Sequence, residues 1–138
     1  MVRRMARFAV VGSGAWGTAL ANVLAANDHA VALWAREPDV VEDINRHREN
    51  HRFLPGVCVR DGVSALGRID DALGGAELVI YVAPSHALRD VVASGARAVR
   101  TDAVLVVASK GIERESLEIM SDVVGDTLPA HAVVALSG

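Results

Sequence analysis

Residues 8–20 read Phe8-Ala9-Val10-Val11-Gly12-Ser13-Gly14-Ala15-Trp16-Gly17-Thr18-Ala19-Leu20. An apolar run leads straight into three glycines spaced G-x-G-x-x-G, and an apolar helical repeat follows without a gap. That order is strand, tight turn and helix start, the setting in which this spacing signals dinucleotide binding. Gly12 permits the sharp turn out of the strand. Gly14 leaves the backbone bare where a pyrophosphate has to approach, and Gly17 lets the helix lie close to the strand. The helix opening near Ala15 directs unpaired N–H groups and the positive end of its dipole at the same place. The plainer alternative is a glycine-rich strand-to-helix turn that binds nothing.

Working outward, residues 7–11 are predicted as a strand and 16–27 as a helix, with Ala19, Leu20, Val23 and Leu24 at helical spacing. The uninterrupted apolar run at 30–35 predicts a second, buried strand. Two strands with a helix between them, in about thirty residues, make a right-handed βαβ unit. In such a unit the residue ending the second strand reads the adenosine ribose: an acid favours NAD, an arginine accommodates the 2′-phosphate of NADP. Here Arg36 is followed by Glu37. Arg36 is the expected reader of a 2′-phosphate or of the adenine face. Glu37 remains able to reach a ribose hydroxyl, so NADP or NAD is the expected cofactor.

Pro38 and Asp39 open a helix with Val40, Val41 and Ile44 on one face, and Asn50 is read as its end. His47 and His51 are spaced i and i+4. Their flanks are mostly arginine, so a solvated helix end is expected and no metal site. Residues 53–56 are expected to form a turn with an apolar anchor, followed by a loop, one short strand and a brief helix near 70–73. Residues 78–83 predict the clearest strand, breaking at Pro84-Ser85, with Ser85 as N-cap of a helix over 87–99. A strand over 103–108 ends in Ser109-Lys110-Gly111-Ile112; then come a helix over 115–124 and a last strand over 131–136. Strands and helices alternate throughout, which predicts an α/β fold of the Rossmann type, doubly wound, with a mainly parallel sheet and helices on both faces.

Composition narrows the function. The chain has 138 residues, enough for one domain, with 51% apolar and only 4% aromatic residues, so the core must be aliphatic. A net charge of −3 gives no electrostatic footprint for nucleic acid. Arg3, Arg4 and Arg7 read as a solvated edge. The apolar run behind them is too short for a signal peptide, and no stretch reaches the roughly 18 apolar residues of a membrane span. The single cysteine, Cys58, has no intramolecular partner, which suits a reducing, cytoplasmic compartment. Thirteen of the fourteen basic residues are arginine, and the exception is Lys110. An ammonium is therefore singled out at a strand's carboxyl end, where open α/β sheets hold their ligands.

Six pieces carry a family resemblance: Gly12-Ser13-Gly14-Ala15-Trp16-Gly17-Thr18-Ala19, Leu33-Trp34-Ala35-Arg36, Asn50-His51-Arg52-Phe53-Leu54-Pro55-Gly56, Val82-Ala83-Pro84-Ser85, Ser109-Lys110-Gly111-Ile112-Glu113 and Leu136-Ser137-Gly138. Over nearly its whole length the chain resembles the N-terminal domain of bacterial NAD(P)-dependent glycerol-3-phosphate dehydrogenase. The resemblance implies an oxidoreductase that interconverts dihydroxyacetone phosphate and sn-glycerol 3-phosphate, feeding glycerophospholipid synthesis. It implies cofactor contacts at Ala15, Trp16, Arg36 and Lys110, beside the glycines Gly12, Gly14 and Gly17. It implies substrate contacts at Lys110 and Gly138. Ala15 stands where the family commonly has serine; a backbone N–H contact survives that change and a hydroxyl contact does not. The family's catalytic lysine belongs to a helical C-terminal domain, so residues 1–138 are expected to be the dinucleotide-binding domain alone, inactive by itself. The resemblance suggests a homodimer formed through that other domain.

Two alternatives are weighed. One is a non-catalytic dinucleotide-binding regulatory module, for which a substrate lysine is superfluous. The other is the cofactor domain of another two-domain dehydrogenase such as ketopantoate reductase, which leaves the Leu-Pro-Gly and Ser-Lys-Gly-Ile-Glu pieces unexplained.

Overall fold

The computed structural model describes residues 5–137. Six strands form one sheet: β1 (Arg7–Val11), β2 (Ala30–Trp34), β5 (Val63–Leu66), β6 (Leu78–Tyr81), β7 (Val104–Val107) and β8 (Val133–Ala135). Their spatial order is β5-β2-β1-β6-β7-β8, and all five pairings are parallel. The chain runs outward from β1 to one edge, then returns to the middle and runs to the other. The direction of winding therefore reverses between β1 and β6, which leaves a crevice at the carboxyl ends of those strands. Helices α1 (Ala15–Ala26) and α2 (Pro38–His47) cover one face. The other face is covered by α3 (Ile69–Leu73), α4 (Leu88–Ser94) and α5 (Met120–Thr127). This is the expected doubly wound Rossmann architecture.

The pleat divides the core between the two faces. Val10, Leu33, Val63 and Ile80 point towards α1 and α2 and pack with Ala21, Val40 and Ile44. Val11, Val79, Tyr81, Leu105 and Val107 point the other way and pack with Leu73, Leu88, Val92, Met120, Val123 and Val124. Both faces of the central strands are buried, so these strands read as unbroken apolar runs without alternation.

Four local expectations are corrected. Asn50 does not end the second helix: α2 stops at His47, and Arg48 follows in the left-handed region at φ 54°. Residues 53–56 are not a free turn, because β3 (Glu49–Asn50) pairs antiparallel with β4 (Leu54–Cys58) in a small hairpin outside the main sheet. Pro55 lacks an N–H and Gly56 has φ 83°, features that an irregular two-stranded edge tolerates. Ser85 caps no helix. The fourth helix begins at Leu88 with Ala87 at its N-cap, and it gives way at Gly95 to a single 3₁₀ turn, Ala96–Ala98. A Cβ on Gly95 would stand 2.5 Å from Leu73 Cδ1, so α3 packs directly against the point where the helix ends.

The fifth helix begins at Met120 rather than at residue 115. Residues 112–119 fold back on themselves instead. Glu113 N–H donates to the Glu118 carbonyl at 2.8 Å, Ile112 bridges Ile119, and Leu117 takes φ 60°. Arg89 on α4 holds this loop: its Nε and Nη2 donate to Glu113 at 2.9 Å, and Nη2 reaches Glu118 at 3.0 Å. A branched guanidinium serving two carboxylates outweighs the helix propensity of the segment.

Candidate functional site

The glycine turn connects β1 to α1 and lies against the end of β6. Gly12 has φ 126°, and a Cβ there would come within 3.0 Å of the Val82 carbonyl carbon and oxygen. A Cβ on Gly17 would stand 1.9 Å from the Gly12 carbonyl oxygen. Both glycines are therefore required by the protein's own packing. Gly14 is different. It is exposed, its φ is an ordinary −64°, and a Cβ there would meet nothing within 4 Å. Gly14 is also the N-cap of α1, and no side chain caps that helix. The first turn contains no acidic residue, so the partial positive charge of the helix end is uncompensated by the helix's own side chains. Ala15 and Trp16 are exposed beside it, Trp16 to 53%.

The other expected residues fall along the same carboxyl edge. Arg36 is exposed just beyond β2, and Glu37 is the N-cap of α2. Lys110 is exposed just beyond β7. Its segment is seated on the segment that follows β6: Ser109 Oγ donates to the Ala83 carbonyl at 2.6 Å, and a Cβ on Gly111 would lie 3.3 Å from the Ser85 Cβ. The order across the edge is thus Arg36, glycine turn, Pro84-Ser85, Lys110. From the strand of Arg36 to that of Lys110 is three inter-strand steps, about 14 Å at ~4.8 Å per step. Gly138 lies outside the described residues.

The sequence reading missed the role of Asn50. It is fully buried, and its Nδ2 donates to the Ser13 carbonyl at 2.9 Å and to Thr18 Oγ1 at 2.9 Å. Thr18, also fully buried, donates its hydroxyl to the same Ser13 carbonyl at 3.2 Å. The small hairpin thus carries an amide into the back of the glycine turn. The only local signal is the Asn50–Phe53 pair, in which Asn50 Oδ1 accepts the Phe53 N–H at 3.1 Å. Nothing in the spacing of residues 13, 18 and 50 announces the long-range contact.

His47 and His51 do meet, around Asp43. His51 Nδ1 lies 2.9 Å from both Asp43 carboxylate oxygens, and its Nε2 lies 2.8 Å from Glu49. The hydrogen bond to Asp43 raises the His51 pKa above its ordinary value, against a smaller opposing effect of burial. The His51 backbone N–H, then its ring, hold Asp43 below the usual carboxylate range. Among the described residues no group of three or more His, Cys, Asp or Glu side chains is arranged to hold a metal ion. No helix among them is long and apolar enough to cross a membrane.

The chain is similar to known proteins along almost its whole length. A family profile described as NAD-dependent glycerol-3-phosphate dehydrogenase N-terminus matches residues 7–138. The chain belongs to that family. A glycerol-3-phosphate dehydrogenase [NAD(P)+] of Myxococcus xanthus is 46% identical over 123 residues, which cover 89% of this chain and 37% of that protein. One from Anaeromyxobacter sp. (strain K) is 43% identical over 135 residues, covering 96% and 41%. A crystal structure of glycerol-3-phosphate dehydrogenase from Coxiella burnetii superposes with a TM-score of 0.88 at 28% identity, covering 97% of this chain and 41% of that one. The chain therefore spans about two fifths of the length of the relatives it matches.

Proposed function

We propose that this chain is the dinucleotide-binding part of an NAD(P)-dependent dehydrogenase that interconverts dihydroxyacetone phosphate and sn-glycerol 3-phosphate. The observation that carries the proposal is the contrast among the three glycines. Gly12 and Gly17 are demanded by the fold, whereas Gly14 is demanded by nothing within it. A bare backbone at an uncapped helix N-terminus, beside the crevice of a doubly wound sheet, suits a pyrophosphate.

In this reading the N–H groups at Gly14, Ala15 and Trp16 hold the pyrophosphate, with Gly12 and Gly17 shaping the turn. Arg36 pairs with the adenosine end, by its guanidinium on a 2′-phosphate or on the adenine face. Lys110 stands at the nicotinamide end and places positive charge where a phosphorylated substrate and the oxygen of its carbonyl gather negative charge. Gly138 is the second substrate contact that the family resemblance implies. When bound, the nicotinamide supplies or accepts the hydride. These residues bind and orient; enclosing the substrate falls to the part of the enzyme that the relatives have beyond this length. The reading extends to a cytoplasmic enzyme that supplies glycerophospholipid synthesis, assembled as a homodimer through that other part.

Calorimetric titration of this chain with NADH and NADPH tests the binding claim: saturable one-to-one binding is expected, and no binding of either overturns it. In the enzyme carrying its full length, Lys110→Ala should lower kcat/KM for dihydroxyacetone phosphate by orders of magnitude. Turnover of ketopantoate in its place would assign the chain to another dehydrogenase.

A further inference from the structure

The N–H groups that face a pyrophosphate must be aimed before it arrives, and a glycine-rich turn is the least able of all backbones to aim itself. Something must hold it. The buried contacts behind the turn show what does.

The peptide unit joining Ser13 to Gly14 is trans, since the described residues contain no cis bond. In a planar trans peptide the C=O and the N–H point to opposite sides. The Ser13 carbonyl is turned into the protein, where it accepts one hydrogen bond from Asn50 Nδ2 and a second from Thr18 Oγ1. Both of its lone pairs are engaged. Asn50 Nδ2 spends its other hydrogen on Thr18 Oγ1, so the three groups close a triangle in which both side chains are fully buried. With the carbonyl fixed inward, the Gly14 N–H is fixed outward, at a residue that is exposed. That N–H finds no acceptor among the described residues.

Asn50 is itself held from several directions. Its Oδ1 takes the Phe53 N–H. The hairpin that carries it is fastened to α1 by Asn22, which donates to the Cys58 carbonyl at 3.0 Å and accepts the Arg60 N–H at 3.0 Å. It is fastened to α2 through the contact of His51 with Asp43, and Arg48 reaches back to the Val59 and Val63 carbonyls. A hairpin outside the main sheet is thus stapled on both sides of one buried amide.

We propose that Asn50 is a positioning residue of the dinucleotide site, acting through the Ser13 carbonyl to aim the Gly14 N–H at the pyrophosphate, with Thr18 as its second support. The proposal rests on the reading of the glycine turn as a dinucleotide site. Asn50 touches no ligand, and its effect passes through one peptide plane.

The cleanest variant is Asn50→Asp, which keeps the shape and the acceptor for Phe53 but sets an oxygen against the Ser13 carbonyl. Thr18→Val removes the second donor at constant volume, and Thr18→Ser restores it. Folding is followed by circular dichroism, NADH affinity by calorimetry, and the Gly14 amide by its ¹⁵N–¹H resonance. Asn50→Asp should weaken NADH by about tenfold or more, the scale of losing an aimed hydrogen bond to a charged group. Thr18→Val should weaken it as well, while Thr18→Ser stays within about twofold of the unsubstituted chain. The Gly14 resonance should shift on NADH addition, and the shift should shrink in Asn50→Asp. If Asn50→Asp does not fold, the contrast between Thr18→Val and Thr18→Ser decides. Unaltered NADH affinity in the folded variants, or an unmoved Gly14 resonance when the unsubstituted chain binds NADH, overturns this inference alone. Failure of the unsubstituted chain to bind any dinucleotide overturns the site reading and this inference with it.

Discussion

Gly17 lies so close to Gly12 that a Cβ on the former would stand 1.9 Å from the carbonyl oxygen of the latter. No real Cβ occupies that distance, so the first turn of α1 and the end of β1 are in contact only because residue 17 has no side chain. Gly17→Ala must therefore push the helix off the strand, and we expect it to lower the unfolding free energy by about 3 kcal/mol or more. Gly14→Ala is expected to leave stability unchanged within about 0.5 kcal/mol, because its Cβ enters open space at an ordinary φ. The same substitution should weaken NADH and NADPH by an order of magnitude or more, because the methyl group occupies the ligand's approach. Urea unfolding and calorimetry on the two variants check both halves. Loss of stability without loss of affinity in Gly14→Ala would reverse the assignment.

On the proposed reading of the site, Arg36 is the residue that separates the two cofactors. A guanidinium matches a 2′-phosphate with paired, charge-assisted hydrogen bonds, whereas against a 2′-hydroxyl it offers at most stacking on the adenine. Arg36→Ala should raise the Kd for NADPH by about tenfold more than the Kd for NADH, with the NADPH loss shrinking at high salt. Equal loss for both cofactors would remove the 2′-phosphate role and leave adenine stacking.

The sheet was legible in the sequence because its central strands are largely buried on both faces. Runs such as Ala30–Trp34 and Val104–Val107 have no polar interruption, and the connections between them are helical in length. The carboxyl edge of the sheet was legible for a related reason: Arg36, Pro84-Ser85 and Lys110 each follow directly where such a run ends. What stayed hidden depends on contacts distant in sequence. The hairpin of β3 and β4 consists mostly of exposed and half-buried residues apart from Asn50, so its pairing has no apolar signature, and Asn50 is decided by Ser13 and Thr18, more than thirty residues away. The late start of α5 is decided by Arg89 on another helix. Propensity within residues 112–119 has no access to that guanidinium.

Tyr81 is fully buried on the face packed by α4 and α5, and its hydroxyl has no hydrogen-bond partner among the described residues. Burial alone drives its pKa far above the ordinary phenol value. A buried hydroxyl without a partner costs about 1–3 kcal/mol relative to water. Tyr81→Phe removes that cost and keeps the ring, so it should stabilise the chain by about 1 kcal/mol, read from urea unfolding. A destabilised Tyr81→Phe would show that the hydroxyl is satisfied in solution.

His51 makes the attachment of the hairpin dependent on pH. Its ring nitrogens face Asp43 and Glu49, while His47 shares Asp43 and Arg52 lies alongside with its guanidinium on Asp39. Because the His51 pKa is raised in the folded chain, its contribution to stability is complete below the ordinary value of 6.5 and disappears as the pH rises through the raised value. Asp43 runs the other way: its pKa is lowered, so its contribution is present above 3.8 and disappears as the pH falls through the lowered value. The tether between α2 and the hairpin is therefore strongest between about pH 4 and about pH 6.5. His51→Gln keeps a side chain able to hydrogen-bond but cannot acquire charge. Its destabilisation relative to the unsubstituted chain should be evident at about pH 5 and nearly absent at about pH 9, measured by urea unfolding at each pH. Equal destabilisation at both values would mean that the neutral imidazole holds the hairpin as well as the imidazolium does.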